Sequence, residues 1–249
     1  MSVSDPAPPL PEPAPPPAHL HPRAVPWRHA LAWYEDALRL FKRAPAMWAA
    51  LAFLTLASEL ALDTVPVVGP LLGKILVPLV ACGLVFAAAA ADRGEPLAFA
   101  FALRALHAPG GAILAIVGAS LITFAAEAFA AWWVADANLL SPAAGQDLAP
   151  AEVVGIYAIG ILASLPVTFV PFHVLLEDVG PGAAYGASWT AFVLNTAPLL
   201  VYSAASLVLL GVGIATMGVG LVIVLPLWAA SSYAAWKDVF GVREPRSAP

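Results

Sequence analysis

Charge is the scarcest property of this chain: Asp, Glu, Lys and Arg make up 11% of its 249 residues, against 61% hydrophobic. A soluble domain carries roughly a quarter charged residues, because its surface must face water. Most of this surface therefore faces something apolar. Cysteine is nearly absent too. Cys82 stands alone, which excludes an intramolecular disulfide and any cysteine-based zinc cluster. Met1 to Pro26 has no apolar run, which argues against a cleavable secretory signal, and holds ten prolines instead. Proline-rich chain without apolar partners stays extended and solvated. The expected organisation is a disordered tail over 1–29, a membrane domain over 30–241 and a short tail over 242–249.

Catalytic signatures are missing as well. The chain has no phosphate-binding glycine loop with its lysine, no His-Glu-x-x-His and no Gly-x-Ser-x-Gly. Ser164, Ser188, Ser203 and Ser206 have no base partner in sequence. No basic patch suited to nucleic acid is present, and the cluster Arg39, Lys42 and Arg43 fits orientation and anionic headgroups better. The expectation is a protein without enzymatic activity or cofactor, whose partners are membrane lipids and not nucleic acid.

What the chain does have is long uncharged runs. Val179 to Trp236 spans 58 residues without an ionised side chain, Val153 to Leu176 spans 24 and Ala105 to Ala126 spans 22. Crossing a bilayer core takes roughly 20 helical residues. The runs predict an all-α, polytopic membrane protein with six transmembrane helices, over 45–62, 70–91, 111–134, 153–174, 197–215 and 217–236. In that frame ten of the eleven lysines and arginines fall on one side, with Lys74 alone on the other. The bias of basic residues toward the cytoplasm then puts both termini inside and the loop 135–152 outside. Trp132 and Trp133 stand at the expected outer level, and Trp27, Trp33, Trp189 and Trp236 at the inner one.

Punctuation recurs three times along the chain. A lead-in segment precedes a proline (Pro45, Pro109, Pro198), a second span carries a later proline (Pro78, Pro166, Pro226), and an aspartate follows (Asp92, Asp178, Asp238). The later prolines stand 14, 12 and 12 residues before their aspartates. Trp33, Ala37, Phe41 and Ala44 share one helical face of the first lead-in, which predicts a helix lying along the inner interface. The expected arrangement is three parallel helical-hairpin repeats, each with an interfacial lead-in helix. Gly69-x-x-x-Gly73 and Gly211-x-x-x-Ala215 are expected to let helices approach closely.

Four stretches carry a resemblance: Trp33-Tyr-Glu-Asp-Ala-Leu-Arg-Leu-Phe-Lys-Arg-Ala-Pro-Ala-Met-Trp48, Val65-Pro-Val-Val-Gly-Pro-Leu-Leu72, Asp92-Arg-Gly-Glu-Pro96 and Tyr233-Ala-Ala-Trp-Lys-Asp-Val-Phe-Gly241. Over about residues 30–241 the chain resembles a family of uncharacterised bacterial six-helix inner-membrane proteins. More distantly it is similar to the predicted membrane domain of some glycerophosphodiester phosphodiesterases. The resemblance implies a six-helix fold in a bacterial inner membrane. It implies no activity and no site residues, since no phosphodiesterase domain is present.

Ionisable residues within membrane spans are the natural candidates for a site. Glu59 and Asp63 lie one turn apart in the first span, Lys74 begins the second, and Glu127 lies in the outer part of the third. Lys74 is expected to pair with one of the carboxylates, either stapling the first hairpin to the third span or holding a proton or cation. His173 with Glu177 and Asp178 shares a metal-like spacing, with His107 as the only further ligand in sight. The functional expectation is a structural or accessory membrane protein. The alternative is a permease or channel for a small solute, built where Pro78, Pro166 and Pro226 interrupt their helices.

Overall fold

The computed structural model describes residues 19–65, 68–140 and 148–242. Residues 1–18 of the tail expected over 1–29, Asp147 of the loop 135–152, and Arg243 and Arg246 lie outside the described residues. Among the described residues every regular element is helical: α1 (His29–Phe41), α2 (Pro45–Asp63), α3 (Val68–Ala81), α4 (Gly83–Asp92), α5 (Phe101–Arg104), α6 (Gly110–Ala135), α7 (Pro150–Ser164), α8 (Val170–Leu176), α9 (Pro181–Leu194), α10 (Thr196–Ala215) and α11 (Leu221–Phe240). Five helical stretches are long and apolar enough to cross a membrane: Pro45–Asp63, Leu71–Asp92, Gly110–Ala135, Pro150–Val167 and Thr196–Ala215.

The helix α11 is not among the five, although its 20 residues are sufficient in length. Ser231, Ser232, Tyr233, Lys237 and Asp238 dilute its hydropathy. Its surroundings explain why those residues are tolerated. Val224, Leu227, Ala230, Ser231, Tyr233, Ala235, Trp236 and Val239 are all buried, against α1, α2, α4 and α10. A helix sheathed by protein need not be apolar all round, because protein groups satisfy its polar atoms.

Prolines set the helix boundaries in several places. Pro45 is the first residue of α2, Pro109 caps α6, and Pro198 is the third residue of α10. A proline in the first turn loses no hydrogen bond. The second expected span is interrupted at Cys82, four residues after Pro78, which separates α3 from α4. The fourth is interrupted by a 3₁₀ turn, Leu165–Val167, which contains Pro166. Ser188 of α9 repairs that interruption: its hydroxyl accepts from Phe169 N at 3.2 Å and donates to the Pro166 carbonyl at 2.8 Å. Pro226 differs from the expectation. It lies inside a continuous α11, whose neighbours hold the helix in one piece.

The lead-in α1 buries Ala30, Trp33, Ala37 and Leu40 at i, i+3, i+7 and i+10, a helical stripe. Of the face expected from sequence, Trp33 and Ala37 are fully buried, and Phe41 and Ala44 only partly. The stripe packs on α11 and α10, so protein and not lipid covers it.

The body also extends toward the N-terminus, past the expected boundary at residue 29. Residues 19–28 lie across the bundle end, where Arg23 N donates to the Val239 carbonyl at 2.8 Å. Asn195, fully buried, accepts from Val25 N at 2.8 Å and donates to the Arg23 carbonyl at 3.0 Å. The sequence reading missed this because Leu20 and Val25, which pack on the core, are too sparse to form a stripe.

Close approaches fall elsewhere than the small-residue spacings suggest. A Cβ on Gly69 would meet the Leu62 carbonyl, but Gly73 and Gly211 face open space. Gly83 is the tightest contact between distant backbones: a Cβ there would come within 2.6 Å of Ala102 Cα. The large core clusters gather toward the end that holds α1, the end of α4 and the end of α11. The hairpin-turn end has only the small cluster Ala130, Ala131 and Ile156.

Candidate functional site

Three places gather polar chemistry, and the largest is at the α1 end. The last turn of α11 presents Asp238, whose Oδ2 accepts from His29 Nδ1 at 2.7 Å and Trp33 Nε1 at 3.0 Å. Arg23 donates to Oδ1 and to the Asp238 carbonyl, both at 2.7 Å. One turn away, Asp92 at the end of α4 accepts from Lys237 and from the Tyr233 hydroxyl, while Arg43 donates to the Ala91 and Asp92 carbonyls. Cations thus cover the carbonyl-rich C-termini of α4 and α11, where helix dipoles favour positive charge. All of these side chains but Arg43 line a cleft of about 370 Å³, together with Asp36 and Arg39.

Burial pushes the Asp238 carboxyl up, but hydrogen bonds from His29, Trp33 and Arg23 outweigh it and hold the group below its ordinary range. The same end carries a second carboxylate clamp. Glu177 Oε2 meets His173 Nδ1 at 2.7 Å, and Oε1 meets His19 Nδ1 at 2.7 Å and His19 N at 3.1 Å. Burial raises its carboxyl, and the two histidines lower it by more. A carboxylate fixing the Nδ1 of a histidine is the arrangement that orients a general base. Here Nε2 is buried and has no partner, and the imidazole is fully buried against Phe240, ring centroids 4.5 Å apart. No substrate proton reaches it, so the arrangement holds the chain rather than moving protons. No group of three or more His, Cys, Asp or Glu side chains converges as a metal cradle among the described residues. His173 and Glu177 do come together as their spacing suggests, with His19 as third member instead of His107.

The second place is the cluster singled out in the sequence. Lys74 meets Glu59 at 3.6 Å and stands 4.9 Å above the Phe124 ring. Glu127 lies against Gly160 of α7, where any Cβ would collide with its carboxyl, and is within electrostatic reach of Lys74 and Glu59. Asp63 joins no ion pair among the described residues, but Tyr157 of α7 feels Asp63, Glu59 and Glu127 together. The structure therefore gathers Glu59, Lys74 and Glu127, with Asp63 at the edge. Tyr157 is the member the sequence reading missed, since a lone tyrosine in an apolar run carries no spacing signal. Glu59 is 46% exposed, so its pair with Lys74 is a weak one. Lys74→Met should change stability by about 0–1 kcal/mol, and thermal unfolding in detergent reads this directly.

The third place is a groove of about 280 Å³ at mid-length of the bundle. Pro78 and Cys82 reach it from the α3–α4 interruption, and Ser164, Val167, Thr168 and Pro171 from the α7–α8 interruption. Ser120 and Thr123 of α6 and Ser232 of α11 complete the polar part of its wall, and no Asp, Glu, His, Lys or Arg lines it. No family model, no curated protein sequence and no solved structure matches the chain.

Proposed function

We propose that this chain is a non-enzymatic, multi-pass protein of a bacterial inner membrane, in a structural or accessory role. In this reading α11 is the sixth crossing, and three parallel hairpins place both termini in the cytoplasm. The observation that carries it is the network at the α1 end. Asp92, Glu177 and Asp238 are each engaged by side chains of the protein itself, so these three carboxylates tie its segments together.

The lead-in segments support the placement. They expose Trp27, Leu31 and Leu38 near and on α1, Phe99 and Leu103 around α5, and Trp189, Val193 and Leu194 on α9. Exposed aromatic and aliphatic groups beside Arg28, Lys42 and Arg104 suit the headgroup level of an anionic leaflet. The inner-membrane assignment rests on the family resemblance at 33–48 and 233–241. A periplasm-active reporter fused after Asp147 should be active, and the same reporter fused after Pro249 inactive. Activity of the second fusion removes the even number of crossings.

A permease or channel for a small solute is the second reading, favoured by one observation: two interrupted helices face a common groove. Proteoliposomes separate the two. The structural reading expects glycerol flux equal to that of protein-free vesicles. Flux tenfold above that background replaces it with the permease.

A further inference from the structure

We propose that the mid-length groove binds the hydrocarbon chain of a membrane lipid, drawn in between the interrupted helices. The proposal rests on the membrane placement above. Its first support is the lining. Pro78, Val85, Ile116, Val167, Pro171 and Phe172 present hydrocarbon, and no charge reaches the wall. A charged solute would lose its hydration there with nothing to replace it.

The hydroxyls argue against water as the occupant. Thr123 and Ser164 already donate to the Ala119 and Ile161 carbonyls, and Ser232 is bonded to the Tyr202 hydroxyl at 2.8 Å. Of the hydroxyls on the groove wall, only those of Ser120 and Thr168 have no hydrogen bond among the described residues. By liquid volume the groove would take roughly nine waters, each seeking 2–4 polar partners. Two hydroxyls fall far short of that, and the apolar remainder of the wall suits a hydrocarbon chain.

The surroundings supply such a chain. Leu114, Leu121 and Ile122 of α6, on the same stretch as the lining Ile116, Ser120 and Thr123, are exposed, Leu114 at 73%. Within a membrane this face touches acyl chains, and the groove continues that contact inward. Small residues make the room: Ala81, Ala119, Ser120, Ser164 and Ala229 all stand at the wall.

The test uses the full chain in vesicles containing phosphatidylethanolamine with a photoactivatable diazirine midway along one acyl chain. Mass spectrometry then maps the adducts. The proposal expects label on the groove residues Ile116, Val167 or Phe172 as well as on exposed Leu114. Ala119→Leu and Ala229→Leu fill the groove from different helices, so one misfolded variant leaves the other informative. Either should reduce groove label at least tenfold and leave Leu114 label unchanged. Label confined to Leu114, Leu121 and Ile122 removes the groove as a site while leaving the membrane placement intact. Absence of label everywhere removes both. Cys82, the only cysteine, adds a direct check on water, since it lines the groove. A charged, membrane-impermeant methanethiosulfonate should leave it unmodified. Rapid modification means the groove is wet and overturns the lipid assignment.

Discussion

Asp238→Ala should destabilise the protein by about 3 kcal/mol. The carboxylate accepts from Arg23, His29 and Trp33 at once, and is 19% exposed. Removing one partner of a buried ion pair costs about 3–5 kcal/mol, and stranding a buried donor such as Trp33 Nε1 about 1–3 kcal/mol. Solvent at Arg23 and His29, 57% and 39% exposed, discounts the sum toward the lower figure. For a chain of this size the loss corresponds to roughly 6–12 °C in Tm. Asp238→Asn keeps an acceptor and should lose about half as much.

The effect has a definite pH dependence. The native carboxyl sits below its ordinary value, so the folded state binds its proton more weakly than the unfolded chain. Stability contributed this way is complete above the unfolded value of about 3.9 and fades as pH falls through the lower native one. The difference in Tm between wild type and Asp238→Ala should shrink as pH falls below about 4. A gap unchanged down to about pH 2 would assign the stabilisation to some other group.

Gly83→Ala should have an effect of similar size for a different reason. Its Cβ would lie 2.6 Å from Ala102 Cα and 2.9 Å from Ala102 N, both backbone atoms of α5. A side chain can swing aside, but a backbone must move with its helix. Overpacking typically costs about 1–3 kcal/mol, and a backbone collision belongs at the top of that range. Gly73→Ala, where no atom lies within 4 Å, serves as the control. It should be neutral or slightly stabilising, since Ala is the better helix former by about 1 kcal/mol. Equal melting temperatures for the two variants would show that α4 and α5 are not held at this distance.

Local chemistry made much of this architecture readable in advance. Pro45 and Pro109 begin helices where their missing N–H and fixed φ require it, Pro166 stands in a real interruption, and Pro78 lies inside α3 four residues before one. His173 and Glu177, four residues apart, meet as their helical spacing implies. The α1-end network was legible only as punctuation. Asp92 and Asp238 recur at span ends, but their cations come from 145 and 215 residues away, and such pairings leave no periodic trace. His19 reaches Glu177 across 158 residues from a stretch that reads as solvated tail. Glu59 and Lys74 were within reach because a short turn joins their helices. Tyr157 was not, because α6 and α7 are connected by a long loop. Pro226 misleads for the same reason α11 does: propensity speaks for an isolated helix, and this one is enclosed.

That enclosure bears on how the chain is made. Helices apolar enough to leave the translocon alone can partition into lipid one at a time. α11 carries two serines, a tyrosine, a lysine and an aspartate, and it follows α1, α2, α4 and α10 along the chain. Its burial against α1, α2, α4 and α10 means that the receptacle consists of earlier segments. If α11 is the sixth crossing, its entry is a docking step onto Trp33, Trp48 and the Asp92–Lys237 pair. Variants in which α1, α2, α4 and α10 are sound would then stall at that step, with α11 left open to quality-control proteases.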